Sequence, residues 1–225
     1  MATRNASPAR RRKPPAPAPA TTVILVRHGQ TPTTGKVLPG RAPGLHLAEA
    51  GRQQAERAAE RLRELERIDA VYTSPLERAR ETAAPIARAM GLRPRIERGL
   101  LECDFGEWTG VELKTLMKRP EWATVQRAPS TFTFPGGESF SGMQHRIVST
   151  LERLRAQHPG GTIVCVSHAD PIKAAVAHAL GTHLDLFQRI VISTCAISVL
   201  AFTAGGPAVL AVNSTGGSLK DLRPS

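Results

Sequence analysis

The chain has 225 residues, enough for one ordinary domain with tails or one domain carrying a small insert. Its 41% apolar and 4% aromatic content supports a core of aliphatic and alanine side chains, and no run approaches the ~18 uninterrupted apolar residues of a membrane span. The formal charge of +11 is unevenly placed: Arg4, Arg10, Arg11, Arg12 and Lys13 stand among prolines and alanines with no acidic residue and carry +5 of it, leaving +6 for the rest.

Residues 1–20, MATRNASPARRRKPPAPAPA, read as a disordered basic tail, because they lack apolar periodicity and cannot offset the entropy of ordering. A solvated extension is the plainer reading; a polyanion-binding arm is the other. A secretory leader is not expected, since prolines follow the basic residues and the next apolar run is shorter than the ~7–15 residues such a leader requires. Cys103, Cys165 and Cys195 form no CxxC pair and make an odd total, which points to reduced thiols and a cytoplasmic location.

In chain order, Thr22–Val26 is predicted as a strand that stops at Arg27-His28-Gly29. Residues 49–65 carry Ala55, Ala58, Leu62 and Leu65 at helical spacing. Ala70–Thr73 is a short strand ending at Ser74-Pro75, and a helix over 77–90 contains Pro85, which is expected to kink it or start a second segment. Gly91 stops that helix. Residues 104–138 are irregular, with Trp108, Leu113, Leu116, Met117 and Trp122 before TFTFPGGES, and read as an insert over the sheet. A helix over 139–157, the buried strand TIVCVSH at 162–168 and a helix over 171–180 follow. CAISVLAF and AVLAVN complete the pattern as two strands forming an antiparallel pair at the sheet edge, and residues 214–225 read as a flexible tail. The alternation predicts an α/β domain over 21–213 with a mostly parallel sheet.

Two apolar strands end alike, VILV before Arg27-His28-Gly29 and IVCV before Ser167-His168. Ligands of open parallel sheets sit beyond the carboxyl ends of the strands, so the two histidines could share one site. Arg78 stands near a helix start, where backbone N–H groups favour an anion; taken alone, the better reading of Arg78 and Arg80 is a solvated helix face beside Glu77 and Glu81. Glu102, among Leu100, Leu101, Phe105 and Trp108, could carry a raised pKa and donate a proton, or be a surface acid in a loop.

Together these elements resemble the histidine phosphatase superfamily, also called phosphoglycerate-mutase-like. Arg-His-Gly, then Ser-Pro-Leu-x-Arg-x-x-x-Thr-Ala, Leu-x-Glu-x-x-x-Gly-x-x-x-Gly and Ser-His occur in its order over roughly residues 22–213. GRQQAERAAERL, PGGESF and the helix bearing Arg146 are similar to it as well. DFGEWTG and HLDLFQRIV are like a short-insert group labelled phosphomutase or phosphatase.

The resemblance implies a three-layer α/β/α sandwich and a phosphomonoesterase acting on a small phosphorylated metabolite. His28 would be the nucleophile, Glu102 the proton donor, and Arg27, Arg78 and His168 the phosphate ligands, with further contacts from Gln30, Thr31 and Ala169. No metal is implied and no cofactor, and there is no HExxH, Asp-rich loop or Cys/His ligand set. Gly29 would let the backbone approach the phosphate. Neither membrane nor nucleic acid is an expected partner, and a homodimer is the assembly the family suggests. Three departures stand out: Thr34 where asparagine is common, Ala48 where threonine would cap a helix, and Ala169-Asp170 where glycine is common. Asp170 is expected to cap the following helix, the other reading being unwelcome negative charge beside the phosphate. A mutase returning the phosphoryl group to a second hydroxyl is the alternative enzyme, and a polyanion-binding module the alternative of another class.

Overall fold

A computed structural model describes residues 20–216. The tails expected over 1–20 and 214–225 lie outside the described residues, apart from residues 20 and 214–216. In chain order the elements are β1 (Thr21–Arg27), α1 (Glu49–Leu62), β2 (Ala70–Thr73), α2 (Glu77–Ala89), β3 (Arg95–Ile96), α3 (Leu113–Leu116), α4 (Trp122–Arg127), α5 (Phe140–Gln157), β4 (Thr162–Ser167), α6 (Ala169–Ala179), β5 (Ile197–Thr203) and β6 (Gly206–Ser214). Short 3-10 turns occupy 98–100, 106–108, 129–131 and 184–189.

The six strands lie in the order β3-β2-β4-β1-β5-β6. The first four are mutually parallel; β5 runs antiparallel to β1, and β6 to β5. Strand periodicity sorts the core into two layers, because successive side chains point to opposite faces. Val23, Leu25, Tyr72, Ile163 and Cys165 pack with Met143, Ile147 and Leu151 of α5 and Ile172 of α6. Their neighbours Ile24, Val26, Val71, Val164 and Val166 pack with Leu62 of α1 and Ala83 and Ile86 of α2. Both faces of β1 and β4 are covered, which accounts for their continuous apolar runs, and each fully buried aliphatic side chain contributes about 1.5–3 kcal/mol.

An aromatic cluster fastens residues 104–138 to the α5 side. Phe134 meets Phe105 at 4.9 Å and Phe140 at 5.1 Å between ring centres, and Trp108 is buried against Phe132 and Phe134. The contacts of Phe134 with Phe105, Phe140 and Trp108 are the edge-on geometries that aromatic quadrupoles favour.

Several boundaries differ from expectation. Helix α2 runs unbroken through Pro85, so the expected second segment does not form; a buried face of Ala79, Ala83, Ile86 and Ala87 outweighs the one missing backbone hydrogen bond. Helix α6 starts at Ala169, two positions before Pro171, and α1 stops at Leu62, leaving Leu65 exposed. Strand β3 is two exposed residues pairing with Tyr72 and Thr73, too short to leave a periodic signal.

Candidate active site

The sheet register assembles the site. Arg27 lies opposite Ser167 in the parallel β1–β4 pair, and Thr73 lies opposite Val166 in the β2–β4 pair. The ladder continues one residue further on both sides: the His28 N–H donates to Ser167 O at 2.9 Å and the Ser74 N–H to Val166 O at 3.0 Å. His28, His168 and Ser74 therefore leave three adjacent strands at one edge. The imidazoles of His28 and His168 meet edge-on, 5.1 Å between centres, and both are buried.

The hydrogen bonds orient His28. Its Nδ1 lies 2.8 Å from the Gly29 carbonyl oxygen, an acceptor only, which assigns the proton to Nδ1 and the lone pair to Nε2. Nε2 in turn accepts from Nε of Arg78 at 3.3 Å. Burial first, then the positive charges of Arg78 and Arg27, hold the His28 pKa well below the ordinary imidazole range. The ring is neutral at neutral pH, with its lone pair available.

Arg78 is fully buried at the start of α2, which excludes the solvated-face reading. Its Nη2 donates to Gly40 O at 2.8 Å. Thr82, one turn on, donates to Arg78 O at 2.7 Å and accepts from the Gly29 N–H at 3.0 Å, tying α2 to the histidine loop. Arg27 donates from Nη1 to Ile192 O at 2.7 Å. His168 Nε2 lies 2.8 Å from Ser74 Oγ. After these bonds, Arg27 Nε, Arg78 Nη1 and His168 Nδ1 remain buried with no partner among the described residues. A buried polar atom left unpaired costs about 1–3 kcal/mol, and these three belong to residues whose charge or ring acts on His28.

Glu102 is buried beside them, its Oε1 accepting from the Cys103 N–H at 2.9 Å. Burial, followed by the charge of Asp170, pushes its pKa up to about 7, against the opposing pull of Arg78 and Arg27. That excludes the reading as a surface acid. Its backbone is clamped as well: Glu102 O accepts from Arg41 Nε at 2.9 Å and from Arg146 Nη2 at 3.3 Å. Arg146 also holds the carbonyls of Gly99 and Leu101, both at 2.8 Å. Glu138 joins the two arginines, accepting from Arg41 Nη2 and from Nε and Nη2 of Arg146, each at 2.9 Å.

A cleft of about 420 Å³ opens over these groups, lined by Arg27, His28, Thr31, Glu102 and Ala169 among others. Arg78 and His168 are fully buried against His28, which lines it. Gln30 is a correction: it is exposed and does not line the cleft, its backbone being held by Gln54 Oε1 and the Ala48 N–H. The reason for Gly29 also changes, since a Cβ there would stand 2.5 Å from Gly51 O; the close approach is to the first turn of α1. Asp170 does not cap α6 but lies within its first turn, behind His168 at the cap position, and lines the cleft. Thr34 closes the loop, accepting from the Thr31 N–H at 2.9 Å. Sequence reasoning missed Gly40, Arg41, Ser74, Thr82 and Lys173. Ser74 and Thr82 stood inside a quoted motif, whereas Gly40 and Arg41 carry no local signal.

The sheet order and the paired strand-end histidines define a phosphoglycerate-mutase-like α/β/α protein. Residues 23–215 match the histidine phosphatase superfamily, branch 1, and the chain belongs to that family. It is 36% identical over 200 residues to a bifunctional protein of Mycobacterium tuberculosis, covering 87% of this chain and 54% of that one. The chain thus spans about half the length of the first curated relatives it matches. It is 33% identical over 198 residues to phosphoserine phosphatase 1 of Hydrogenobacter thermophilus, covering 86% of this chain and 92% of that one. A solved mycobacterial glucosyl-3-phosphoglycerate phosphatase is similar with a TM-score of 0.79 at 25% identity, over 87% of this chain and 99% of that one. No helix among the described residues is long and apolar enough to cross a membrane.

Proposed function

We propose that the protein hydrolyses small phosphomonoesters through a phosphohistidine on His28. The observation that carries this reading is the set of three unpartnered buried atoms, on Arg27, Arg78 and His168, around a neutral imidazole. A phosphoryl group brings about two negative charges and three acceptor oxygens, which these atoms would meet. His28 Nε2 attacks phosphorus in line, the P–O bond to the alcohol breaks, and Glu102 gives its proton to the departing oxygen. Water then attacks the phosphohistidine, Glu102 takes the water's proton, and phosphate leaves with His28 restored. The two arginines and His168 hold the charge that spreads over the equatorial oxygens.

Hydrolysis is preferred over mutase chemistry because residues 104–138 form a short cover of small elements. An open cleft admits water to the intermediate. The phosphatase names of two relatives support the same choice. The reading takes phosphorylated metabolites, rather than nucleic acid, as the partners, and the cytoplasm as the location, since the three cysteines are buried and free.

A panel of phosphomonoesters assayed with EDTA present is the test. Phosphate release is expected without added metal and faster than isomerisation of phosphoglycerate. Isomerisation outpacing release would assign the mutase activity instead.

A further inference from the structure

Asp170 places a carboxylate where the site otherwise gathers positive charge. It lines the same cleft as His28 and Glu102, and its side chain is only 17% exposed. Among the described residues its charged partner is Lys173, at 3.5 Å, one turn along α6. Lys173 is held closer to Gln188, donating to Oε1 at 3.0 Å, so the pairing with Asp170 is loose. Asp170 does not cap the helix. Its charge reaches into the site, acting on both Glu102 and Arg27.

A carboxylate in that position repels every incoming phosphate. Lys173 and Arg27 offset part of that charge, and a cation on the rest of the substrate would offset more. Lys173 and Gln188 line the cleft with Asp170, and Leu38, Phe105, Leu113 and residues 190–192 supply its apolar lining. We infer that Asp170 selects phosphomonoesters whose leaving group carries an ammonium group, which it binds as counter-ion, and disfavours those whose leaving group carries a further anion. The selectivity deepens the hydrolytic reading and rests on it. It combines attraction for one substrate class with repulsion of another, as specificity commonly does.

The purely structural role for an acid in a first helical turn is a favourable interaction with the helix dipole. That role affects folding and leaves the ranking of substrates alone, so ratios between substrates separate the two.

Phosphate release is measured for O-phosphoethanolamine, glycerol 3-phosphate and 3-phosphoglycerate, with the wild-type chain and with Asp170→Asn. The wild type is expected to rank them in that order by kcat/KM. In Asp170→Asn, phosphoethanolamine is expected to fall about tenfold or more relative to glycerol 3-phosphate, the range of one charge-assisted hydrogen bond. Phosphoglycerate should rise relative to the same reference. An equal factor for all three esters, or a wild type that prefers phosphoglycerate, would overturn the inference. Calorimetric binding of the three esters to His28→Ala, with and without Asp170→Asn, reads the same ranking with no turnover. If the wild type hydrolyses none of them, the hydrolytic reading fails, and the binding ranking alone then sustains or overturns the role of Asp170.

Discussion

On the proposed mechanism, His28 and Glu102 divide the chemistry by environment. Both are buried, and burial opposes charge on each, so it lowers the histidine and raises the acid. At neutral pH this yields a neutral imidazole beside a carboxyl that still holds its proton in part. The sign of the pH dependence follows. Proton donation by Glu102 needs the acid form, so kcat/KM is expected to fall as pH rises through about 7. The acid limb, set by protonation of His28, belongs well below the ordinary imidazole pKa of 6.5. Glu102→Gln should remove the alkaline limb and lower kcat about 10²–10⁴-fold for alkyl phosphates, where the leaving oxygen needs a proton. The loss for p-nitrophenyl phosphate should be much smaller, because its leaving group departs unprotonated. Equal losses on both substrates would show that Glu102 is not the proton donor. At this scale the sequence anticipated which side chains meet where side chain and motif coincide, as with Arg27, His28 and His168. It misled at Gln30 and Asp170, because adjacency in the chain does not say which way a side chain turns from a loop or first helical turn.

Among the elements, α5 does more than fill the core. Arg146 projects from it to hold the carbonyls of Gly99, Leu101 and Glu102, and Glu138 pairs it with Arg41. These groups touch the backbone that carries Glu102, so on the proposed mechanism Arg146 acts as a positioning residue. Arg146→Met is expected to lower kcat about 10–100-fold with little change in KM, as a small misplacement of a catalytic group does. The alkaline limb should move as well, since Glu102 would lose its fixed surroundings; Arg146→Lys should restore only part of the loss, lacking the guanidinium fork. An unmoved pH profile would reduce Arg146 to a structural role. Sequence periodicity located α5, β1, β2 and β4 well because each has a strong apolar face. It could not find β3, whose two residues are exposed, or the continuity of α2 through Pro85, which depends on packing against the rest of the fold. The Arg41 contact is likewise invisible in sequence: it spans 61 positions to reach Glu102, and only the folded loop brings the two together.

In the whole molecule, one rigid sheet carries the site. Strands β2, β4 and β1 stand side by side, covered on both faces, and end together at His28, Ser74 and His168. The layered architecture was legible from alternating strand and helix patterns and from the family resemblance, since both reflect how apolar faces must be buried. The parts that shape selectivity were less so, because the cleft wall draws on residues 31–39, 102–113, 169–173 and 188–192, which meet only in space. The most direct measurement is to trap the covalent intermediate: rapid quenching into alkali during turnover, followed by mass spectrometry of the modified peptide. An acid-labile, alkali-stable phosphate on His28, absent from His28→Ala, which should retain its fold and lose turnover about 10⁴-fold or more, is the expected result. Phosphate on another residue, or sustained turnover by His28→Ala, would contradict it.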